Sequence, residues 1–170
     1  MDKFLPAIII AIGANLPAPG GNAPLATCRA AAARIGELPG LRLRAVSRWY
    51  ATTPVPASDQ PDYVNGTALV TGETTPERLL RDLLGIESEF GRVRVARNGA
   101  RALDLDIIDF GGRVRPTSDP ILPHPRAHER EFVLRPLADL APGWVHPVLG
   151  RPVADLLAAL GPPTARVLPD

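Results

Sequence analysis

An α+β domain built on one antiparallel sheet is predicted by three features of the sequence. The isoleucine-rich run at residues 7–12 reads as a buried central strand. Two amphipathic segments, at 30–38 and 76–90, are separated by strand-like stretches, so the order is strand, helix, strand, strand, helix, strand. The chain has 170 residues, within the usual size of one domain, and no repeat or low-complexity linker divides it. Residues 1–170 are accordingly read as a single domain.

Each element has a local cause. Gly13 and Asn15 end the first strand and open a loop at 16–24 that holds three prolines and two glycines. Asn22 is the candidate cap of the first helix, in which Leu25, Cys28, Ala32 and Ile35 recur at helical spacing. Pro39 and Gly40 stop it. Leu41, Leu43 and Ala45 then alternate with Arg42 and Arg44 in a second strand reaching Trp49 or Tyr50, its basic side turned to solvent or ligand. Prolines at 54, 56 and 61 make the next stretch a long shaped loop, because proline removes a donor and restricts its predecessor. Residues 63–71 are a third strand. Thr75 followed by Pro76 starts the second helix, which places Leu79, Leu80, Leu83, Leu84 and Ile86 beside the acidic Glu87. A loop at 92–102 leads into the strand 103–110. Beyond it come a hairpin turn at Gly111 and Gly112, a proline-rich passage, a helical or turn segment at 127–140 and a terminal helix at 153–160. Two split strand–helix–strand units of this kind fold as a ferredoxin-like sheet with its helices on one face, and the carboxyl-terminal extension packs on that domain.

Composition narrows the function. Hydrophobic residues make up 45% and charged residues 22%, which is the balance of a soluble globular chain. A formal charge of +1 gives little whole-molecule attraction to nucleic acid or anionic membrane and favours a small anionic ligand. Lys3 is the only lysine, so planar guanidinium forks supply every other basic position. Cys28 is the only cysteine, which excludes an intrachain disulfide and cysteine-based zinc sites and fits a reducing cytoplasm. The apolar stretch 4–16 is too short to span a bilayer and lacks a signal-peptide pattern. No separate oligomerisation element is legible, so a monomer is expected.

The sharpest chemical signal is Asp104-Leu105-Asp106-Ile107. On a strand the two carboxylates share one face while Leu103, Leu105 and Ile107 enter the apolar side. Hard oxygen ligands suit magnesium, whose shell is completed by phosphate and water. Asp109 breaks the alternation and is a weaker ligand candidate. Arg92, Arg94, Arg97 and Arg101 precede the pair in a glycine-containing loop, a pattern that suits a polyphosphate bridging the metal and the guanidinium donors. Tyr63 and Asn65 share strand parity and offer a flat face with a donor–acceptor edge, suited to a nitrogen-rich heterocycle. His124, His128 and His146 have no zinc-site spacing, and Pro123 and Pro125 argue against a shared helical face. Arg126 and Arg130 make that segment a candidate phosphate-facing patch. Neither a GxxxxGK[ST] loop nor a GxGxxG fingerprint occurs. An RNA-binding ferredoxin-like module is the first alternative, but it requires an aromatic platform and no paired acids. A partner-binding protein is the second, and it leaves the acids, arginines and aromatics unconnected.

With these residues in place, the chain resembles the 6-hydroxymethyl-7,8-dihydropterin pyrophosphokinase family of folate biosynthesis. The resemblance runs through AIGANL at 11–16, DQPDYVN at 59–65, GRVR at 91–94, RALDLDI at 101–107, PHPRAHER at 123–130 and FVLRPL at 132–137, in order and at matching spacing. It implies a ferredoxin-like fold and transfer of pyrophosphate from ATP to the pterin hydroxymethyl group, with release of AMP. It further implies two Mg2+ ions at Asp104 and Asp106, and a pterin pocket of Thr52, Val55, Tyr63, Asn65 and Phe132. Arg92, Arg97, Arg101 and Arg130 match positions that engage triphosphate or the closed loop, and Glu87 and His124 match nucleotide-site residues. The sequence departs from the family pattern at Asn98, Ala100 and Glu131, which stand where an aromatic, a proline and a glycine are common.

Overall fold

The computed structural model describes residues 5–91 and 102–170. Six strands, β1 (Ala7–Ala14), β2 (Leu41–Val46), β3 (Tyr50–Thr52), β4 (Tyr63–Gly72), β5 (Asp104–Phe110) and β6 (Arg166–Val167), form one sheet. Its order is β5-β1-β4-β3-β6, with β2 also paired to β4, and all of these pairings are antiparallel. Helices α1 (Pro24–Gly36), α2 (Pro76–Glu89), α3 (Glu131–Leu140) and α4 (Val153–Ala159) complete the α+β architecture, with a short 3-10 turn at Ala127–Glu129 before α3.

The Thr75–Pro76 start is seen as expected: the Thr75 hydroxyl accepts from the Arg78 N–H, and Leu79, Leu83 and Ile86 turn inward. The first helix differs. It begins at Pro24, with Ala23 at the cap position and no side-chain capping bond. Asn22 instead uses its carbonyl to accept from the Ala18 N–H at 3.0 Å. The preset φ of Pro24 explains the later start, since proline at the first helical position substitutes for an N–H that would have no partner. The second strand of the sequence reading is two strands, β2 and β3. The break between them is stitched to β4 by Ser47, which donates its N–H to Thr67 O and accepts the Thr67 N–H on its hydroxyl, each at 2.9 Å.

The larger difference is a third layer. One core lies between α1, α2 and the sheet, where Ile8, Ile10, Ile12, Cys28, Ile35, Leu79, Leu83, Leu105 and Ile107 are buried together. A second core lies on the other face, where Ile9 and Ile108 meet Val133, Leu134 and Leu137 of α3, Trp144, and Val153, Leu156 and Leu157 of α4. Helices therefore cover both faces, and the carboxyl-terminal extension is itself the second cover. The reason is in β1: consecutive isoleucines put apolar side chains on both faces, and an uncovered Ile9 would forfeit about 2 kcal/mol of burial. The register of β1 against β5 shifts between Ile9 and Ile10, leaving Ile108 as an extra residue. That bulge turns both Ile108 and Asp109 toward the second core. Asp109 accepts from Trp144 Nε1 at 2.8 Å and from the Gly112 N–H at 2.9 Å. Gly111 and Gly112 both have positive φ, as a tight turn after a strand requires, and the returning chain makes a single bridge, Arg115 to Leu122.

Candidate active site

On β5 the side chains of Leu105 and Ile107 enter the first core, so Asp104 and Asp106 look out of the opposite face. Gly13 of β1 pairs with Asp104 and Ala11 with Asp106. Asn65 of β4 pairs with Gly13, and Tyr50 of β3 pairs with Asn65. Directly opposed residues of an antiparallel sheet share a face, so Asp104, Gly13, Asn65 and Tyr50 form one row across four strands. Tyr63 and Thr52, paired with each other, lie on the same face by parity. Gly13 lets the row close up, because a Cβ there would sit 2.7 Å from Asn65 Oδ1. Asn65 donates from Nδ2 to Thr52 Oγ1 at 2.6 Å, and the two residues are only 7% and 8% exposed. The proline loop above them is tied down by the buried Asn15, whose Nδ2 donates to Gln60 Oε1 at 3.2 Å and to Pro61 O at 3.1 Å, while the Tyr63 hydroxyl donates to the same Gln60 oxygen at 3.4 Å.

His124 borders the acids because its N–H donates to the Ile108 carbonyl at 2.9 Å. Its Nε2 lies 3.9 Å from Asp106 Oδ2. Burial, reinforced by the Arg130 charge, pushes its pKa down to about 4, against the opposing pull of Asp104. The ring is thus neutral at pH 7 and the 3.9 Å contact is no ion pair. Its Nδ1 accepts the Arg126 N–H at 3.1 Å, so Nε2 carries the proton. Burial and Arg126 also act to lower the Arg130 pKa, opposed by Asp106 and Asp104, and the Arg130 guanidinium stands 5.4 Å from the centre of the Phe132 ring. Beside this cluster is a cleft of about 210 Å3 walled by Leu80, Leu105, Asp106, Ile107, Ile121 and His124. Among the described residues no group of three His, Cys, Asp or Glu side chains could by itself hold a metal ion. A cation bound by Asp104 and Asp106 would take its other ligands from water or from a bound phosphate. That is the coordination habit of magnesium, so the donor set fits it.

The pattern of the family described as 7,8-dihydro-6-hydroxymethylpterin-pyrophosphokinase matches residues 9–142. The chain belongs to this family. Among its relatives is the 2-amino-4-hydroxy-6-hydroxymethyldihydropteridine pyrophosphokinase of Pseudomonas aeruginosa, 42% identical over 152 residues that cover 89% of this chain and 90% of that protein. The protein of the same name from Haemophilus influenzae is 41% identical over 138 residues, 81% of this chain and 83% of the relative. A solved structure titled as HPPK-DHPS in complex with substrates superposes with a TM-score of 0.67 at 13% identity, a likeness of fold. The superposition covers 91% of this chain but only 43% of that longer one.

Within this pyrophosphokinase, Asp104 and Asp106 come together with His124 and Arg130, and Thr52, Tyr63 and Asn65 come together on the same sheet face. Phe132 stands at the start of α3 with Arg130 against its ring. Val55 is 66% exposed on the proline loop. Glu87 is only 2% exposed, and its Oε1 accepts the Leu105 N–H at 2.8 Å, holding the backbone of β5 between the two acids. Arg92, Arg97 and Arg101, with Arg94, Asn98 and Ala100, lie outside the described residues. Sequence reasoning missed Gly13 and Asn15 as parts of the site and took them only as loop openers. The signal for both was their place at the end of a central strand, where a small residue and a buried amide carry more than a turn needs.

Proposed function

We propose that Asp104 and Asp106 hold Mg2+ against the phosphates of ATP, and that Thr52, Val55, Tyr63, Asn65 and Phe132 receive 6-hydroxymethyl-7,8-dihydropterin on the same sheet face, beside α3. The enzyme transfers pyrophosphate from ATP to the pterin hydroxymethyl group and yields AMP and the pterin diphosphate, as its family membership gives. One observation supports the placement: in the row from Asp104 through Gly13 to Asn65, the strand of the acidic pair and the strand of Asn65 flank β1 on its two sides, and Gly13 puts no side chain between Asp104 and Asn65.

From this arrangement the residue roles follow. The bond from Asn65 to Thr52 fixes the amide, so the polar edge of the pocket is set before the pterin arrives. Tyr63 offers its ring as one wall and Phe132, backed by Arg130, offers another. The cleft beside His124 suits the nucleotide base, with the neutral imidazole donating from Nε2. Arg130, with Arg92, Arg97 and Arg101 of the preceding loop, supplies forked donors for the triphosphate. Bound Mg2+ would neutralise phosphate oxygens so that an uncharged hydroxyl can approach. The hydroxymethyl oxygen bonds to the β phosphorus and gives up its proton to solvent, the bond from the β phosphorus to its bridging oxygen on the α phosphate breaks, and that oxygen leaves with AMP. Glu87 acts from behind, keeping Leu105 and hence the spacing of the two acids in register.

Incubation with ATP, Mg2+ and the reduced pterin, followed by separation of the products, tests the reading. AMP and pterin diphosphate are expected, and ADP in their place would overturn it. Asp104→Asn and Asp106→Asn keep the shape but weaken the charged ligand, so turnover falls by about 100-fold or more while the melting temperature stays near the parent's. Unchanged turnover and magnesium dependence in both variants would reject the site. The same preparation is expected to be monomeric and cytoplasmic, which light scattering and cell fractionation check.

A further inference from the structure

After α4 the chain returns across the molecule and is fastened at three points. The Glu131 carboxylate accepts the Thr164 N–H at 2.9 Å, the Thr164 hydroxyl at 2.5 Å and the Ala165 N–H at 3.2 Å, and Arg135 lies 3.5 Å from the same carboxylate. Next, β6 pairs with β3, Arg166 opposite Ala51 and Val167 opposite Tyr50, and the Leu168 N–H donates to the Trp49 carbonyl at 2.8 Å. Finally, Arg166 Nη2 reaches Asp62 Oδ2 at 3.4 Å.

Each fastening is the chain neighbour of a proposed acceptor-pocket residue. Glu131 precedes Phe132, Ala51 precedes Thr52 and Asp62 precedes Tyr63. The pieces come from α3, β3 and the proline loop, and nothing in the local sequence joins them. A three-residue strand such as β3 is also weak as a sheet edge and gains from a partner on its outer side. Glu131 is part of this device by its chemistry. At the first helical position of α3, a carboxylate can gather several N–H and O–H donors at once, which glycine at the same position cannot do.

We infer that residues 163–168 are a strap that holds the three walls of the acceptor pocket in register, and that Glu131 is a positioning residue for pterin binding which acts through that strap. The inference rests on the acceptor pocket proposed above. The carboxylate does not touch the reacting atoms, so its loss should weaken capture of the pterin and spare capture of ATP.

Steady-state kinetics of AMP formation, with each substrate varied in turn, test this in the parent, Glu131→Ala, Glu131→Gln and Thr164→Val. Glu131→Ala is expected to raise the KM for the pterin by about tenfold and to change the KM for ATP by less than about twofold, the signature of a lost acceptor-side interaction. Hydrogen exchange across residues 164–168 should rise in the same variant. Glu131→Gln keeps an amide oxygen for the two N–H groups and an NH2 that the Thr164 hydroxyl can accept, so it should restore the parent's pterin KM. Thr164→Val removes one donor from a folded chain and should raise the pterin KM by a smaller factor, which keeps the test open if Glu131→Ala does not fold. A parent that forms no AMP would defeat the functional reading itself. A parent that forms AMP, with equal pterin KM in Thr164→Val and in any folded Glu131→Ala, or with both KM values rising together, would overturn the strap alone.

Discussion

Three aspartates share β5, and the structure assigns the third of them to stability. Asp109 is 6% exposed and uses both carboxylate oxygens, Oδ2 for Trp144 Nε1 and Oδ1 for the Gly112 N–H. Trp144→Phe removes one donor and leaves a buried carboxylate short of a partner, a loss of about 1.5–3 kcal/mol for a hydrogen bond to a charged group. The smaller ring opens a gap in the second core that adds about 1 kcal/mol. For a domain of this size a total near 3 kcal/mol corresponds to a fall of about 6–10 °C in Tm, or a shift of about 1 M in the urea midpoint. Asp109→Asn is also destabilising, because an amide has one acceptor oxygen for two donors and must turn its NH2 toward one of them. With Trp144 already replaced, that NH2 meets no opposing donor. The double variant should therefore cost less than the sum of the singles, by about 1 kcal/mol. Urea titrations of the four proteins, followed by far-UV circular dichroism, measure the cycle, and AMP formation measured alongside should stay near the parent's. Additivity within about 0.3 kcal/mol, or a Trp144→Phe midpoint equal to the parent's, would refute the reasoning.

Two further outcomes are expected. In Gly66→Ala the new Cβ would lie 2.5 Å from Cε3 and Cζ3 of Trp49, so the buried indole has to move; a loss of about 1–3 kcal/mol and an altered near-UV spectrum follow, and an unchanged spectrum would contradict them. His146 is 4% exposed, accepts the Val148 and Leu149 N–H groups on Nδ1, and has its pKa lowered by burial and by His128 despite Asp109. Because its folded pKa lies below the unfolded one, its contribution is present above about pH 6.5 and is lost as the pH falls below that value, where the unfolded chain binds the proton more readily. Melting curves over this range should show a flatter pH dependence in His146→Gln than in the parent, and equal slopes would sink the assignment. His124, lowered to about 4, adds a term of the same sign, so the slope is reduced and not abolished.

The order of strands and helices was legible because each signal was local: the Thr75–Pro76 start of α2, the alternation in β5, and the prolines of the loop before β4. So was the pairing of Asp104 with Asp106, since parity needs only the sequence of one strand. The third layer was less legible. The consecutive isoleucines of β1 already demanded apolar cover on both faces, but nothing local says which distant segment supplies it, and a helix with Pro136 inside it reads weakly as a helix. The bulge at Ile108 was equally hidden. Asp109 looks like an interruption until β1 and Trp144 are placed beside it. Gly13 and Asn15 were read as a turn because their partners, Asn65 and Gln60, are some fifty residues away, beyond any window in which periodicity operates.

The position of β1 also bears on how the chain comes to be folded. Among the described strands β1 comes earliest in the chain, yet it lies between β4 and β5, and its second face is closed by α3, α4 and Trp144 between them. Long-range pairings of this kind carry a large loop-closure cost before they return any stability, so they form slowly. On a ribosome, Ile9 would remain wet until the last third of the chain emerged, and even a growing chain that had reached Phe110 could complete the acidic row while the apolar part of that same face, at Ile9 and Ile108, stayed uncovered. The same arrangement makes the newly made protein most prone to association in the interval between the appearance of β5 and the docking of α3.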